Sequence, residues 1–154
     1  MVLLTVTQPH IFQTDLSFSL DRIDDETING TYKKAFPHLL TIEPVTDKEL
    51  QLKGIDKILH FSGGQTCFVD EKKLRKDYGD ILLEEYSNFE TKRVGWLGKD
   101  KYTDYINYII VPIKKSYLFP FLLLQKTYLE NYHEWLLNYG RKFADNGNYQ
   151  TSNI

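Results

Sequence analysis

The sequence predicts an α/β (α+β) fold in which a mixed central β-sheet is flanked by helices and a long C-terminal helix. Three observations lead there. Strand-like runs recur at 49–61, 66–73, 80–86 and 105–113. From Phe121 to Ala144 the pattern changes to a helical period. A chain of 154 residues with no internal repeat and no low-complexity linker reads as one domain, 1–154, long enough to bury a proper core.

The elements follow in order. Asp24, Asp25 and Glu26 precede a helix over about 26–36, where acids suit the positive end of the macrodipole. Pro37 and Pro44 punctuate a connection. Residues 49–61 read as a strand, SGGQT at 62–66 as a tight turn, and 66–73 as the returning partner. DILLEEY, 80–86, reads as a third strand, and KRVGWL, 92–97, as a turn or short strand. YINYIIVPI, 105–113, is a buried strand that ends at Pro112, because proline cannot donate to a central ladder. On the last helix Leu124, Tyr128, Leu129, Tyr132, Trp135, Leu136 and Tyr139 form a stripe read as core packing. The tail DNGNYQTSNI has turn and loop character.

Composition narrows the function classes. A hydrophobic content of 42% with 26% charged residues is ordinary for a globular protein, and 11 Tyr with 9 Phe indicates a Tyr-rich core and surface. The net charge of −2 gives no global attraction to nucleic acid, so such binding would need a local basic patch. A single cysteine, Cys67, excludes an internal disulfide and a Cys-based zinc site, and its place among strand residues reads as packing. His10, His38, His60 and His133 are scattered without metal-ligand spacing. The start MVLLTVTQPHIF lacks the basic region and apolar length of a signal peptide. With no apolar run of about 18 residues, no membrane span is expected and a cytoplasmic protein is.

The informative stretch is GIDKILHFSGGQTCFVDEKKL, 54–74, a hairpin that gathers Asp56 from one strand and Asp70-Glu71-Lys72 from the other at its open end. Side chains alternate between the faces of a strand. A turn centred on Gly64 sets Asp56 opposite Lys72 with Asp70 on the same face; one centred between Gly63 and Gly64 sets Asp56 opposite Glu71. Either way two carboxylates and a lysine meet. That set suits a hard divalent cation such as Mg²⁺ (or Mn²⁺), which takes one or two carboxylates, waters and substrate phosphate oxygens. Such an ion polarises a phosphodiester and acidifies an attacking water. Lys72 would orient that water or stabilise the developing charge.

The pattern G-I-D, hairpin, V-D-E-K resembles the core of the PD-(D/E)XK nuclease superfamily, in which one strand carries an Asp and the next carries Asp or Glu, any residue, and Lys. On this chain the match is Asp56 and then Asp70-Glu71-Lys72, with Ile55 in place of the name-giving proline. Glu84, Gly95-Trp96 and Asp104-Tyr105 are similar to a later acid, G-W and D-Y of phage and bacterial members. The resemblance covers about 50–111. It implies a restriction-endonuclease-like core and a Mg²⁺-dependent deoxyribonuclease with Asp56, Asp70 and Lys72 as catalytic residues. Asp56, Asp70 and Glu71 (through its carbonyl) would be metal ligands, and Glu84 a supporting acid. If phage-encoded, the protein would act in the bacterial host cytoplasm. The resemblance also tips the register toward Asp70-x-Lys72 over Glu71-x-Lys73.

Lys72, Lys73, Arg75 and Lys76 form a basic run beyond the hairpin that would contact a phosphate backbone, which the resemblance implies is DNA, although the run itself does not distinguish DNA from RNA. Lys92, Arg93, Lys99 and Lys101 form a second group around Trp96, which reads as buried before it reads as a stacking platform. Glu26 or Glu43 would supply any further acid. A homodimer stays open, since cutting both strands calls for two sites. Two other classes remain: a catalytically inactive nuclease-fold protein that binds nucleic acid or a partner, and an unrelated enzyme using the acids on a small substrate. Metal dependence separates the three.

Overall fold

The structure, a computed structural model, describes residues 25–98 and 101–154. The expectations on Asp24, on the opening stretch with His10 and on Lys99 lie outside the described residues. The backbone gathers into two compact units, one of residues 25–81 with 101–131 and one of 82–98 with 132–154.

The first unit holds a five-stranded mixed sheet ordered β1-β2-β3-β6-β7. Its strands are β1 (Leu39–Pro44), β2 (Lys57–Phe61), β3 (Thr66–Leu74), β6 (Tyr105–Ile110) and β7 (Lys115–Pro120). β3 and β6 are parallel, and every other pair is antiparallel. The parallel pair needs a long crossover, and the chain between its strands supplies the first two strands of the second unit. Helix α1 (Asp25–Ala35) ends two residues before Pro37, as the restriction on a pre-proline residue favours. Its Ile28 and Tyr32, one turn apart, close on Leu59, Val69 and Ile109 to form the core of this unit.

Corrections follow from local chemistry. Residues 48–52 form a short helix, α2 (Lys48–Leu52), and not the start of a strand. The alternation in KELQLKG imitates a strand, but both ends are capped. Asp47 accepts from Glu49 N–H and Leu50 N–H. At the other end Gly54 N–H donates to Gln51 O and Ile55 N–H to Leu50 O, a Schellman closure with Gly54 at φ +81°. Pro37 and Pro44 bracket the unforeseen strand β1. The buried strand at 105 ends at Ile110, two residues before Pro112, which sits in a 3₁₀ turn over Val111–Ile113, and β7 follows it.

The second unit holds a four-stranded antiparallel sheet ordered β5-β4-β9-β8, of β4 (Glu84–Asn88), β5 (Arg93–Val94), β8 (Lys142–Asp145) and β9 (Gln150–Asn153). The tail is therefore a central strand and not a loop. The strand expected at 80–86 begins only at Glu84. Helix α3 (Phe121–Tyr139) stops short of Ala144 because Gly140, at φ +68°, turns the chain and donates back to Leu136 O. Of its expected stripe Tyr128 is buried, whereas Leu129 and Tyr139 are exposed. Among the described residues no helix is long and apolar enough to cross a membrane.

Candidate metal centre

The hairpin pairs Lys57 with Val69, Leu59 with Cys67 and His60 with Thr66. The turn is thus centred on Gly63, and the partner of Asp56 is shifted by two residues from the Gly64-centred register and by one from the other. Phe61 and Gln65 close a three-residue loop whose last member, Gly64, takes φ +77°, a value that favours glycine. Continuing the pairing sets Asp56 level with Asp70. There the ladder gives way: Asp56 N–H donates to Val69 O at 2.8 Å, and the Asp56 carboxylate accepts Glu71 N–H at 2.7 Å. Beyond the end of β2, this side chain fills the place a further backbone carbonyl would take. The Schellman closure at Gly54 delivers it there.

Asp70 and Lys72 leave the same face of β3, and Lys72 Nζ lies 2.7 Å from Asp70 Oδ1. The other oxygen of Asp70 is bound by Lys101 Nζ. Asp70 is only 2% exposed. Burial pushes its carboxyl up, but the ammoniums of Lys72 and Lys101 outweigh that and hold it below the usual carboxylate range. Asp56 moves the other way. Burial, reinforced by the charge of Asp70, raises it to about 6 against the hydrogen bond from Glu71 and the charge of Lys72. Two neighbouring carboxylates with opposite shifts are an arrangement typical of functional sites.

Glu71 turns to the opposite face. Its carboxylate accepts Tyr32 O–H at 2.7 Å and lies 3.4 Å from Lys73 Nζ, while Asn107 donates to the Tyr32 oxygen at 2.9 Å. Tyr32 and Asn107 are fully buried, so this network anchors β3 against α1 and β6 from behind. Glu71 is left with its main chain on the site side. Its N–H faces Asp56, and in an extended strand its carbonyl points to the same edge.

The other expected residues take different positions. Lys73 is paired with Glu71. Lys76 Nζ lies 5.6 Å over the Tyr78 ring, at the end of the run that includes Arg75. Glu84 and the Lys92–Arg93 pair belong to the second unit. Lys92 Nζ sits 3.4 Å over the Phe89 ring, and the Arg93 carbonyl accepts Ser87 O–H. Glu43 pairs with His60 at 2.8 Å, and Glu26 is exposed on α1. Cys67 packs at the edge of the core, its thiol pushed up to about 11 by burial and by Asp104.

The Gly-Trp and Asp-Tyr pairs have structural work. A Cβ at Gly95 would stand 2.2 Å from the Glu84 carbonyl oxygen, Trp96 is buried, and the Trp96 backbone N–H donates to Glu84 Oε1 at 3.0 Å. Gly95→Ala is expected to cost about 2–3 kcal/mol, measured by chemical denaturation, because backbone must move to admit the methyl group. Asp104 accepts Phe68 N–H at 2.8 Å and starts the β3–β6 pairing, and Tyr105 packs edge-on against Phe36.

Sequence reasoning missed two groups. Lys101 was read as part of the basic cluster around Trp96. The second is a buried carboxylate in the other unit: Glu85 receives Arg141 Nε at 2.6 Å and Nη2 at 2.8 Å, Ser152 O–H at 3.0 Å and Tyr132 O–H. Set against protein-family models, characterised proteins and solved structures, the chain matches none.

The donors present suit a small hard cation. Asp56 and Asp70 offer carboxylate oxygens and Glu71 a carbonyl, the oxygen-only set that Mg²⁺ or Mn²⁺ takes while keeping waters and binding phosphate. Among the described residues no three His, Cys, Asp or Glu side chains form a cage of their own.

Proposed function

We propose that this chain is a metal-dependent nuclease that hydrolyses phosphodiester bonds of nucleic acid, DNA by preference, on a restriction-endonuclease-like core. The observation that carries the reading is the meeting of Asp56, Asp70 and Lys72 at the open end of one hairpin, with Glu71 turned away. Asp56, Asp70 and the Glu71 carbonyl would hold Mg²⁺ or Mn²⁺. When bound, the ion supplies Lewis-acid polarisation of the phosphate and acidification of a water.

The chain's own residues do the rest. The Glu71 N–H fixes the rotamer of Asp56, and the buried network behind β3 fixes Glu71. Lys72 is about one-quarter exposed, and its ammonium beside Asp70 would orient water and meet charge building on a phosphate oxygen. Arg75 and Lys76, just past the end of β3, would neutralise backbone phosphates. Reversing both charges should weaken binding to all sequences and lower the log–log salt slope by roughly two, read from affinities at several salt concentrations.

Purified protein with Mg²⁺ or Mn²⁺ and a panel of duplex, single-stranded and branched DNA and RNA tests the reading. Cleavage that a chelator stops is the expected result. A second reading draws on Asp70, already neutralised by two lysines: a nuclease fold that binds without cutting. It takes over if no form is cut with either metal.

A further inference from the structure

We infer that Lys101 is a resident cation of this site, one that competes with a divalent ion for Asp70, so that metal binding requires the Lys101 ammonium to leave. The inference rests on the metal-site reading above and adds a control on it.

Four observations carry it. Lys101 Nζ is bound to Asp70 Oδ2, and only 9% of the Lys101 side chain is exposed. Lysine is seldom buried to that extent unless paired. Its path is built: a Cβ at Gly54 would lie 3.0 Å from Lys101 Cδ and 3.3 Å from Asp70 Oδ2, so the glycine that closes α2 also leaves room for the lysine stem. The segment that carries it is pinned. Tyr102 N–H donates to Lys53 O at 3.3 Å, and Thr103 O–H contacts Phe68 O at 3.1 Å and Tyr105 O at 2.9 Å. The charges also balance, Asp56 and Asp70 against Lys72 and Lys101.

With Lys72 on Oδ1 and Lys101 on Oδ2, both oxygens of Asp70 are engaged. A divalent ion drawn to an oxygen that already holds an ammonium would sit within a few ångströms of that like charge, in a place almost closed to water, so the two cations compete for Asp70. In the reading above Lys72 is needed beside the phosphate. Lys101 is the one that yields.

The test is Mn²⁺ affinity of the full chain, measured by calorimetry and by electron paramagnetic resonance of free Mn²⁺, for the wild type, Lys101→Met and Lys101→Arg. Lys101→Met removes the competitor and should bind Mn²⁺ roughly tenfold tighter or more, as loss of one charge-assisted hydrogen bond implies. Lys101→Arg should stay near the wild type. Unchanged or weaker binding by a folded Lys101→Met overturns the inference and leaves the metal site standing. No Mn²⁺ binding by wild type or variant overturns the metal reading itself, and the inference with it. A measurement on the wild type guards against a variant that does not fold: amine labelling of Lys101, followed by mass spectrometry, should rise several-fold at saturating Mg²⁺. Unchanged labelling in a chain that binds the ion would show that Lys101 does not move.

Discussion

Replacing Asp56 by Asn is expected to slow nucleic-acid cleavage by about a thousandfold or more, while the chain stays as stable as the wild type or becomes more stable at pH 7. Asparagine keeps a side-chain oxygen for Glu71 N–H, so the local hydrogen bond survives. What it loses is the negative charge that would hold a cation. The stability side follows from the raised carboxyl, which moves from an ordinary 3.8 to about 6 on folding, chiefly through burial. A carboxyl shifted upward takes up a proton on folding. Its contribution to stability is therefore full below its ordinary value and is lost as pH rises through about 6. Asn carries no such dependence. Thermal melting should show Asp56→Asn gaining on the wild type between about pH 4 and pH 7. A variant that cleaves normally, or one that loses activity only because it unfolds, would contradict this account of Asp56.

The largest stability loss is expected from Arg141→Ala, about 3 kcal/mol, because it leaves the buried Glu85 carboxylate without its bidentate partner. Three segments distant from Glu85 in sequence converge on that carboxylate: the second half of α3 through Tyr132, the residue before β8 through Arg141 and β9 through Ser152. Burial alone would raise Glu85, but the hydrogen bonds from Arg141, Tyr132 and Ser152, with the Arg141 charge, hold it below its ordinary 4.5. A depressed carboxyl contributes stability that is present above the ordinary value and lost as pH falls through the folded one. Denaturation of the wild type should thus become easier as pH drops below about 4.5, and the Arg141→Ala variant should lose most of that slope. Equal stability of variant and wild type at pH 7 would show the network to be solvated.

What could be read from the sequence was local chemistry. Ser62-Gly63-Gly64-Gln65 announced the hairpin, and the period of two placed Asp70 and Lys72 on one face with Glu71 on the other. The favoured register was missed by two residues, which keeps the faces right but moves the partner of Asp56 from Lys72 to Asp70, because hairpin rules permit several loop lengths and the closing pair, Phe61 with Gln65, leaves no mark in composition. The helix at 48–52 was written in its caps, Asp47 and Gly54, but the alternating leucines between them spoke louder. β9, QTSN, has little strand character of its own. It is a strand because β4 and β8 pair with it on both sides. The distant partners of Asp70 and Glu85 could not be read at all: Lys101 lies 31 positions from Asp70, and Arg141 lies 56 from Glu85. Only the fold brings such pairs together, and no spacing rule anticipates them.

The most direct test of the central proposal is diffraction from crystals of the wild-type chain soaked in Mn²⁺, with data collected for the anomalous signal of the ion. The expected result is one peak at about 2 Å from oxygens of both Asp56 and Asp70. Crystals that hold Mn²⁺ elsewhere, with both oxygens of Asp70 still on Lys72 and Lys101 and no peak beside Asp56, would contradict it.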